Sequence, residues 1–187
     1  MADAVLIDDV LDYLNMDAPT PDEQAELVPY MAAAVAQVEL YCGPIIIREV
    51  VDYEQSGRYS LVLDKRPVVS LVSIVEMDGT ELDVTGYRVV PSAGLLRPVG
   101  GGRMPCGPFD VTYRAGWAET VADVPDALAL ACQVIVAHLY GDQRRPTLGP
   151  QPDYGDEFAP PAAMSSGFAI PYKARDLMGP YRTVAVA

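Results

Sequence analysis

Histidine, tryptophan and cysteine are scarce in this chain of 187 residues, which holds one His, one Trp and three Cys. The cysteines, Cys42, Cys106 and Cys132, lie far apart, and none forms a C-x-x-C pair. An odd, scattered set is a poor disulfide framework, so reduced, buried thiols are expected. One histidine, His138, with scattered cysteines leaves no clustered ligand set for zinc. Positive charge is also in short supply: 13 Lys and Arg against 26 Asp and Glu give a net charge of −13. That balance argues against ordinary nucleic-acid binding, in which cations must neutralise phosphates. It serves solubility, and it also suits an acidic wall past which DNA slides without sticking. No apolar run reaches the roughly 18 residues that a bilayer requires. The opening Met1-Ala2-Asp3-Ala4 carries no positive segment, so a soluble, unexported protein is expected, with no membrane partner.

Constellations for catalysis are missing as well. Ser/His/Asp chemistry would have to use His138, which lies among apolar helical residues and reads as a satisfied or surface histidine. Gly100-Gly101-Gly102-Arg103 is not a P-loop, because it lacks the G-K-[ST] ending and the strand-to-helix setting that aims backbone N–H groups at phosphates. There is no GxGxxG. The acidic pairs Asp8-Asp9 and Asp156-Glu157 are what chance gives in so acidic a chain. Asp153, Asp156 and Glu157 lack the ligand order of an EF-hand and read as a solvated loop. No catalytic, cofactor-binding or metal-ligating residue is assigned, and no enzyme is expected.

What is present is ample core: 50% of the residues are hydrophobic, which suits a folded body. The spacing predicts a first helix over residues 3–15, with Ile7, Leu11 and Leu14 on one face. Thr20 as N-cap, Pro21 at the first helical position and Glu23 completing a capping box open a second helix over 21–42. Its apolar face is Leu27, Tyr30, Met31, Ala34, Val35, Val38 and Tyr41, and Gly43-Pro44 stops it. From 45 to 114 the period becomes that of antiparallel strands. Candidates are Ile45–Tyr53, Tyr59–Leu63 and Val68–Met77, then Tyr87–Val90, Leu95-Leu96 and Phe109–Tyr113. Asp78-Gly79 and Ser92-Ala93-Gly94 are the hairpin turns. A last long helix over 125–141 is apolar nearly all round from Ala127 to Tyr140, the mark of an element buried in a fold or an assembly, and Gly141 ends it.

The fold class is therefore α+β: a small helical bundle, made of the first helix pair and the late buried helix, with an inserted antiparallel β region. Residues 1–145 form this body. Residues 146–187 form a Pro/Gly-rich arm with a short helix over 171–178. No internal repeat is present. The basic clusters Arg144-Arg145 and Lys173, Arg175, Arg182 either meet acidic faces of other subunits or complement helix C-termini.

The ordered set of motifs has a likeness. The helix ending Tyr41-Cys42-Gly43, the strand Arg66-Pro67-Val68-Val69-Ser70-Leu71-Val72-Ser73-Ile74 before Asp78-Gly79, and Val111-Thr112-Tyr113-Arg114-Ala115-Gly116-Trp117 form one part of it. Val124-Pro125 with the helix closing on Ala137-His138-Leu139-Tyr140 completes it. Over residues 3–145 this resembles the head-to-tail connector (adaptor) proteins of tailed bacteriophages, of the HK97 type, which also occur in prophages and gene transfer agents. The resemblance implies a structural virion-neck protein without cofactor, made in the bacterial cytoplasm. Such a protein forms a ring, commonly of twelve subunits, below the portal protein. The ring extends the DNA channel without specific DNA binding and meets a stopper or other neck or tail protein. By position, the resemblance implies portal docking through Phe168, Ile170, Tyr172, Lys173, Arg175, Leu177, Met178, Tyr181 and Arg182. The ring interface would use Arg144, Arg145, Tyr30 and Tyr41. On this reading the body folds without residues 168–187. Two other readings compete: a stopper-type neck or tail-completion protein, against which the opening helix pair speaks, and a small enzyme or ligand-binding module built on the β region.

Overall fold

The computed structural model describes residues 5–55, 59–104, 108–144 and 170–182. Helix α1 (Ile7–Tyr13) is shorter than the periodicity suggests. Leu6 is already extended and Asn15 turns left-handed at φ 55, so Val5 reaches the core from outside the helix. Helix α2 (Pro21–Cys42) opens on the expected capping box: the Thr20 side chain accepts from the Glu23 N–H, and the Glu23 carboxylate accepts from the Thr20 N–H. Two orphan N–H groups at the helix start are satisfied in this way, and Pro21 has none to satisfy. Gly43 ends α2 at φ 79, where an added Cβ would overlap the Arg66 carbonyl oxygen.

Among the described residues seven strands follow, and they form two sheets where the sequence suggested one β region. β1 (Arg48–Gln55), β3 (Val68–Glu76), β4 (Glu81–Leu82) and β7 (Pro108–Ala115) make a sheet in the order β1-β7-β3-β4. β2 (Leu61–Val62), β5 (Tyr87–Val90) and β6 (Leu95–Pro98) make a smaller one in the order β2-β6-β5. Both expected hairpins are present. Phe109, Val111 and Tyr113 alternate inward along β7 and are fully buried. They share a core with Val68 and Ile74 of β3 and with Leu61, Leu63 and Leu96 of the smaller sheet. Two register shifts along β3 interrupt its alternation and leave Val69 and Val72 exposed.

The second core is helical. Helix α3 (Asp126–Arg144) runs on through Gly141, where a stop was expected. A glycine ends a helix by turning left-handed; Gly141 does not do so, and its missing Cβ faces open space. From Ala127 to Tyr140 no residue of α3 is exposed, because α1, α2 and α4 (Tyr172–Met178) all pack on it. Helix α4 therefore belongs to the packed body. Ala174 and Met178 are 0% and 2% exposed within the helical core.

The two cores meet at one junction. Its strands of chain are Gly43-Pro44-Ile45 after α2 and Gly116-Trp117-Ala118 after β7. The Trp117 and Ala118 N–H groups both donate to the Ile45 carbonyl, and the Ile47 N–H donates back to the Ala118 carbonyl at 2.8 Å. The Gly116 N–H donates to the carbonyl of Pro67, which follows a cis Arg66–Pro67 peptide. The Trp117 indole N–H donates to the Cys42 carbonyl at 2.9 Å, taking up an orphan acceptor at the end of α2. Its ring meets Tyr181 edge-on at 5.0 Å, tying down the chain after α4. Ile45 to Ile47, expected to be strand, are thus occupied by the junction.

Three expected outcomes follow. Gly116→Ala, at φ 148 with its Cβ 2.6 Å from the Ile47 Cα, lowers stability by about 3 kcal/mol. Trp117→Phe, which strands the Cys42 carbonyl, costs about 1–3 kcal/mol. Urea unfolding measures both. Truncation before Ile170 empties the Ala174 and Met178 sites and lowers the melting temperature, by circular dichroism, instead of leaving the body intact.

Candidate assembly surfaces

Three groups with possible chemistry, Cys42, Cys132 and Tyr113, are buried. Burial pushes the thiols of Cys42 and Cys132 up to about 11 and about 12, so neither is a nucleophile near neutral pH. Cys106 lies outside the described residues. Buried Tyr113 donates its hydroxyl proton to Asp52 Oδ2 at 2.6 Å and accepts the Lys65 N–H at 2.9 Å. The Asp64 N–H reaches the same carboxylate oxygen at 2.8 Å. Burial first and the Asp52 carboxylate second hold the Tyr113 hydroxyl well above its ordinary range. This network fastens the loop after β2 to the large sheet. His138 is half-buried on α3. Among the described residues, no three His, Cys, Asp or Glu side chains come together as a metal site.

The residues expected to dock on the portal divide by their position. Met178 is buried, while Ile170, Leu177 and Tyr181 are half-buried against the helical core. Tyr172 (82% exposed), Lys173, Arg175 and Arg182 face outward. The Arg175 guanidinium lies 5.9 Å from the Tyr172 ring centre, and the Lys173 ammonium 5.8 Å from that of Tyr13. Phe168 lies outside the described residues. Of the residues expected at a ring interface, Tyr30 packs edge-on against Tyr140 at 6.4 Å and Tyr41 is half-buried. The side chain of Arg144 and all of Arg145 lie outside the described residues. The acidic group Asp153, Asp156 and Glu157 does too.

Two uncovered faces were not picked out from the sequence. The outward side of α2 presents Ala25, Val28, Pro29, Ala32, Ala33, Ala36 and Leu40, all exposed, with Leu40 at 73%. No charge interrupts it. The signal was legible, since Leu27 to Val38 contains no charged residue at all. The second is the outer face of the large sheet, where Val51, Tyr53, Val69 and Val72 are exposed. Apolar patches of this kind mark contacts with other chains. β1 is an edge strand of eight residues beside them, the sort of edge that folded chains cover.

A family model described as head completion protein matches residues 5–153. Among solved structures, the chain is similar to one from the neck of an empty GTA particle computed with C6 symmetry. That likeness has 22% identity and a TM-score of 0.70, covering 98% of this chain and 92% of the other. It is also similar to a chain in the virion of a native gene transfer agent (GTA) particle, at 23% identity and TM-score 0.68, with 98% and 92% covered. A third, from the neck of a native GTA particle computed with C12 symmetry, has 20% identity and TM-score 0.66, with 95% and 90% covered. At these identities the likeness is one of fold. No protein of curated function matches the chain.

The buried thiols set two outcomes. At about pH 8, iodoacetamide leaves Cys42 and Cys132 unmodified in the folded chain and alkylates both after unfolding, as peptide mass spectrometry reads. In the unfolded chain a thiol ionises near 9.0, whereas the folded values are about 11 and about 12. Between these limits the folded chain retains protons that the unfolded chain has lost. Stability therefore falls as pH rises from about 9 to 12, which urea midpoints across that range measure.

Proposed function

We propose, from the premise that the chain belongs to the head completion protein family, that it is a structural adaptor in the neck of a phage or phage-like particle. The single observation that carries this reading is the family match over residues 5–153, which spans both the helical and the sheet cores. The likeness in fold to chains of GTA particles supports it. The adaptor acts by assembly and not by catalysis. Copies form a closed head-to-tail ring below the portal, of twelve subunits as the resemblance to the HK97-type connectors implies. The ring lengthens the DNA channel and offers its far side to a stopper or other neck or tail protein. In the chain's domain plan, residues 1–145 build the ring and the segment from 146 onward reaches the portal.

The uncharged face of α2 is the lateral contact, with the edges of Tyr30 and Tyr41 beside it, and Arg144 and Arg145 join it as the sequence suggests. A contact of that composition associates through apolar burial while the acidic remainder keeps free subunits apart. The outward residues of α4 and the turn after it, Tyr172, Lys173, Arg175 and Arg182, meet the portal. Met178, Leu177, Ile170 and Tyr181 hold that helix in place from behind.

Two variants test the division of roles. Lys173→Glu with Arg175→Glu, both exposed, leaves the melting temperature unchanged and lowers portal binding by roughly tenfold or more, read by interferometry on immobilised portal. Ala32→Glu with Ala36→Glu leaves the isolated chain folded and prevents ring formation on the portal, read by electron microscopy. Unchanged portal binding in the first variant refutes the docking surface; normal rings in the second refute the lateral one.

A further inference from the structure

Charge is segregated along this chain. Residues 1–47 contain nine Asp and Glu and not one Lys or Arg. Asp8, Asp9, Asp12, Asp17 and Asp22 are all exposed on α1 and at the entrance to α2. None of these five carboxylates makes a hydrogen bond or ion pair among the described residues. The helical core thus carries a strongly negative rim.

The smaller sheet is the opposite. Arg88 of β5 and Arg97 of β6 are register partners, so their side chains leave the same face of the sheet side by side. Both are exposed, and neither guanidinium has a hydrogen bond or an ion pair among the described residues. Arg103 stands next to them, with its guanidinium 5.2 Å from the centre of the Tyr59 ring. Tyr59 and Arg97 line one shallow depression with Ser60, Pro98, Gly101 and Gly102. Like charges directly across a strand pair destabilise it. Among the described residues no carboxylate pairs with either guanidinium. The arrangement gains energy only when anions from outside meet it, and guanidinium groups suit carboxylates in paired geometry.

We propose that Arg88, Arg97 and Arg103 of one subunit receive the aspartates of the α1 rim, Asp8, Asp9 and Asp12, of the next copy of this chain. The inference rests on the ring reading above and names the polar half of the contact between neighbours. A head-to-tail contact needs two different, complementary patches on each subunit, and the basic sheet and the acidic helix are such a pair. DNA is the weaker occupant: three arginines on a body of net charge −13 face long-range repulsion from a polyanion. The carboxylates of a second copy bring the same chemistry at lower charge density.

Charge reversal with mixing tests the pairing. One variant carries Arg88→Glu and Arg97→Glu; the other carries Asp8→Arg, Asp9→Arg and Asp12→Arg. All five positions are exposed, and thermal melts confirm that each variant folds. Sedimentation of the full chain over a range of concentration and NaCl reads association. Each variant alone associates roughly tenfold to a hundredfold more weakly than wild type. The equimolar mixture recovers wild-type association, because in alternating order every contact again joins opposite charges. Milder variants, Arg88→Gln with Arg97→Gln, show an intermediate loss and a shallower salt dependence. A mixture that associates no better than its parts overturns the pairing, and if wild type still forms rings the proposed function stands without it. A wild type that stays monomeric under every condition, on and off the portal, overturns both. Tight binding of a 30-base-pair duplex that Arg88→Glu and Arg97→Glu abolish, with self-association unchanged, assigns the patch to DNA and also overturns the proposal.

Discussion

The structure depends on the backbone hydrogen bonds that tie Ile45 and Ile47 to Trp117 and Ala118. They join the helical core to the two-sheet core, beside the Glu39–Arg48 ion pair that links α2 to β1 at 2.9 Å. The Ile45 carbonyl accepts two N–H groups, from Trp117 and Ala118. Trp117 then spends its indole N–H on the end of α2 and its ring on Tyr181. Gly43 and Gly116 are glycines because each lies against another backbone, at Arg66 and at Ile47 respectively. The consequence is mechanical: a force applied to the sheets is passed directly to α2 and α4. A subunit that must hold its place in a ring while other components load onto it benefits from such coupling.

Much of this was legible in the chain. Thr20, Pro21 and Glu23 announced the start of α2, and Gly43 its end, because capping is local chemistry. Asp78-Gly79 and the alternation of Phe109, Val111 and Tyr113 fixed a hairpin and an inward face for the same reason. The features that escaped are non-local. A two-residue strand such as Leu61–Val62 carries no periodicity, so the separation into two sheets was hidden. The seven residues of α4 show no local sign that Ala174 and Met178 pack near Cys42, more than a hundred positions away. Gly141 looked like a stop because composition does not say which backbone conformation a glycine will take. The unpaired arginines were hidden until hairpin register placed Arg88 opposite Arg97.

The absence of charge from Leu27 to Val38 of α2 and the separation of charge elsewhere belong to one design. The buried face of α2 packs on α3, and its outward face is as uncharged as its inward one. A helix apolar on both sides is content only between two layers of protein. The acidic rim repels free copies of the chain from one another at a distance, while the basic hairpin accepts that rim in a single relative orientation. Apolar area supplies the attraction, and charge selects the geometry. No catalytic group is needed for this work, and the thiols and the Tyr113 hydroxyl are committed to the interior.

Electron cryomicroscopy of the full chain assembled on its portal decides between these outcomes. A closed ring is expected, in which every subunit contains both cores, joined at Trp117, and presents the outward face of α2 to a neighbour through a head-to-tail contact. A two-fold symmetric dimer, or a ring in which the α2 face points to solvent, would contradict it.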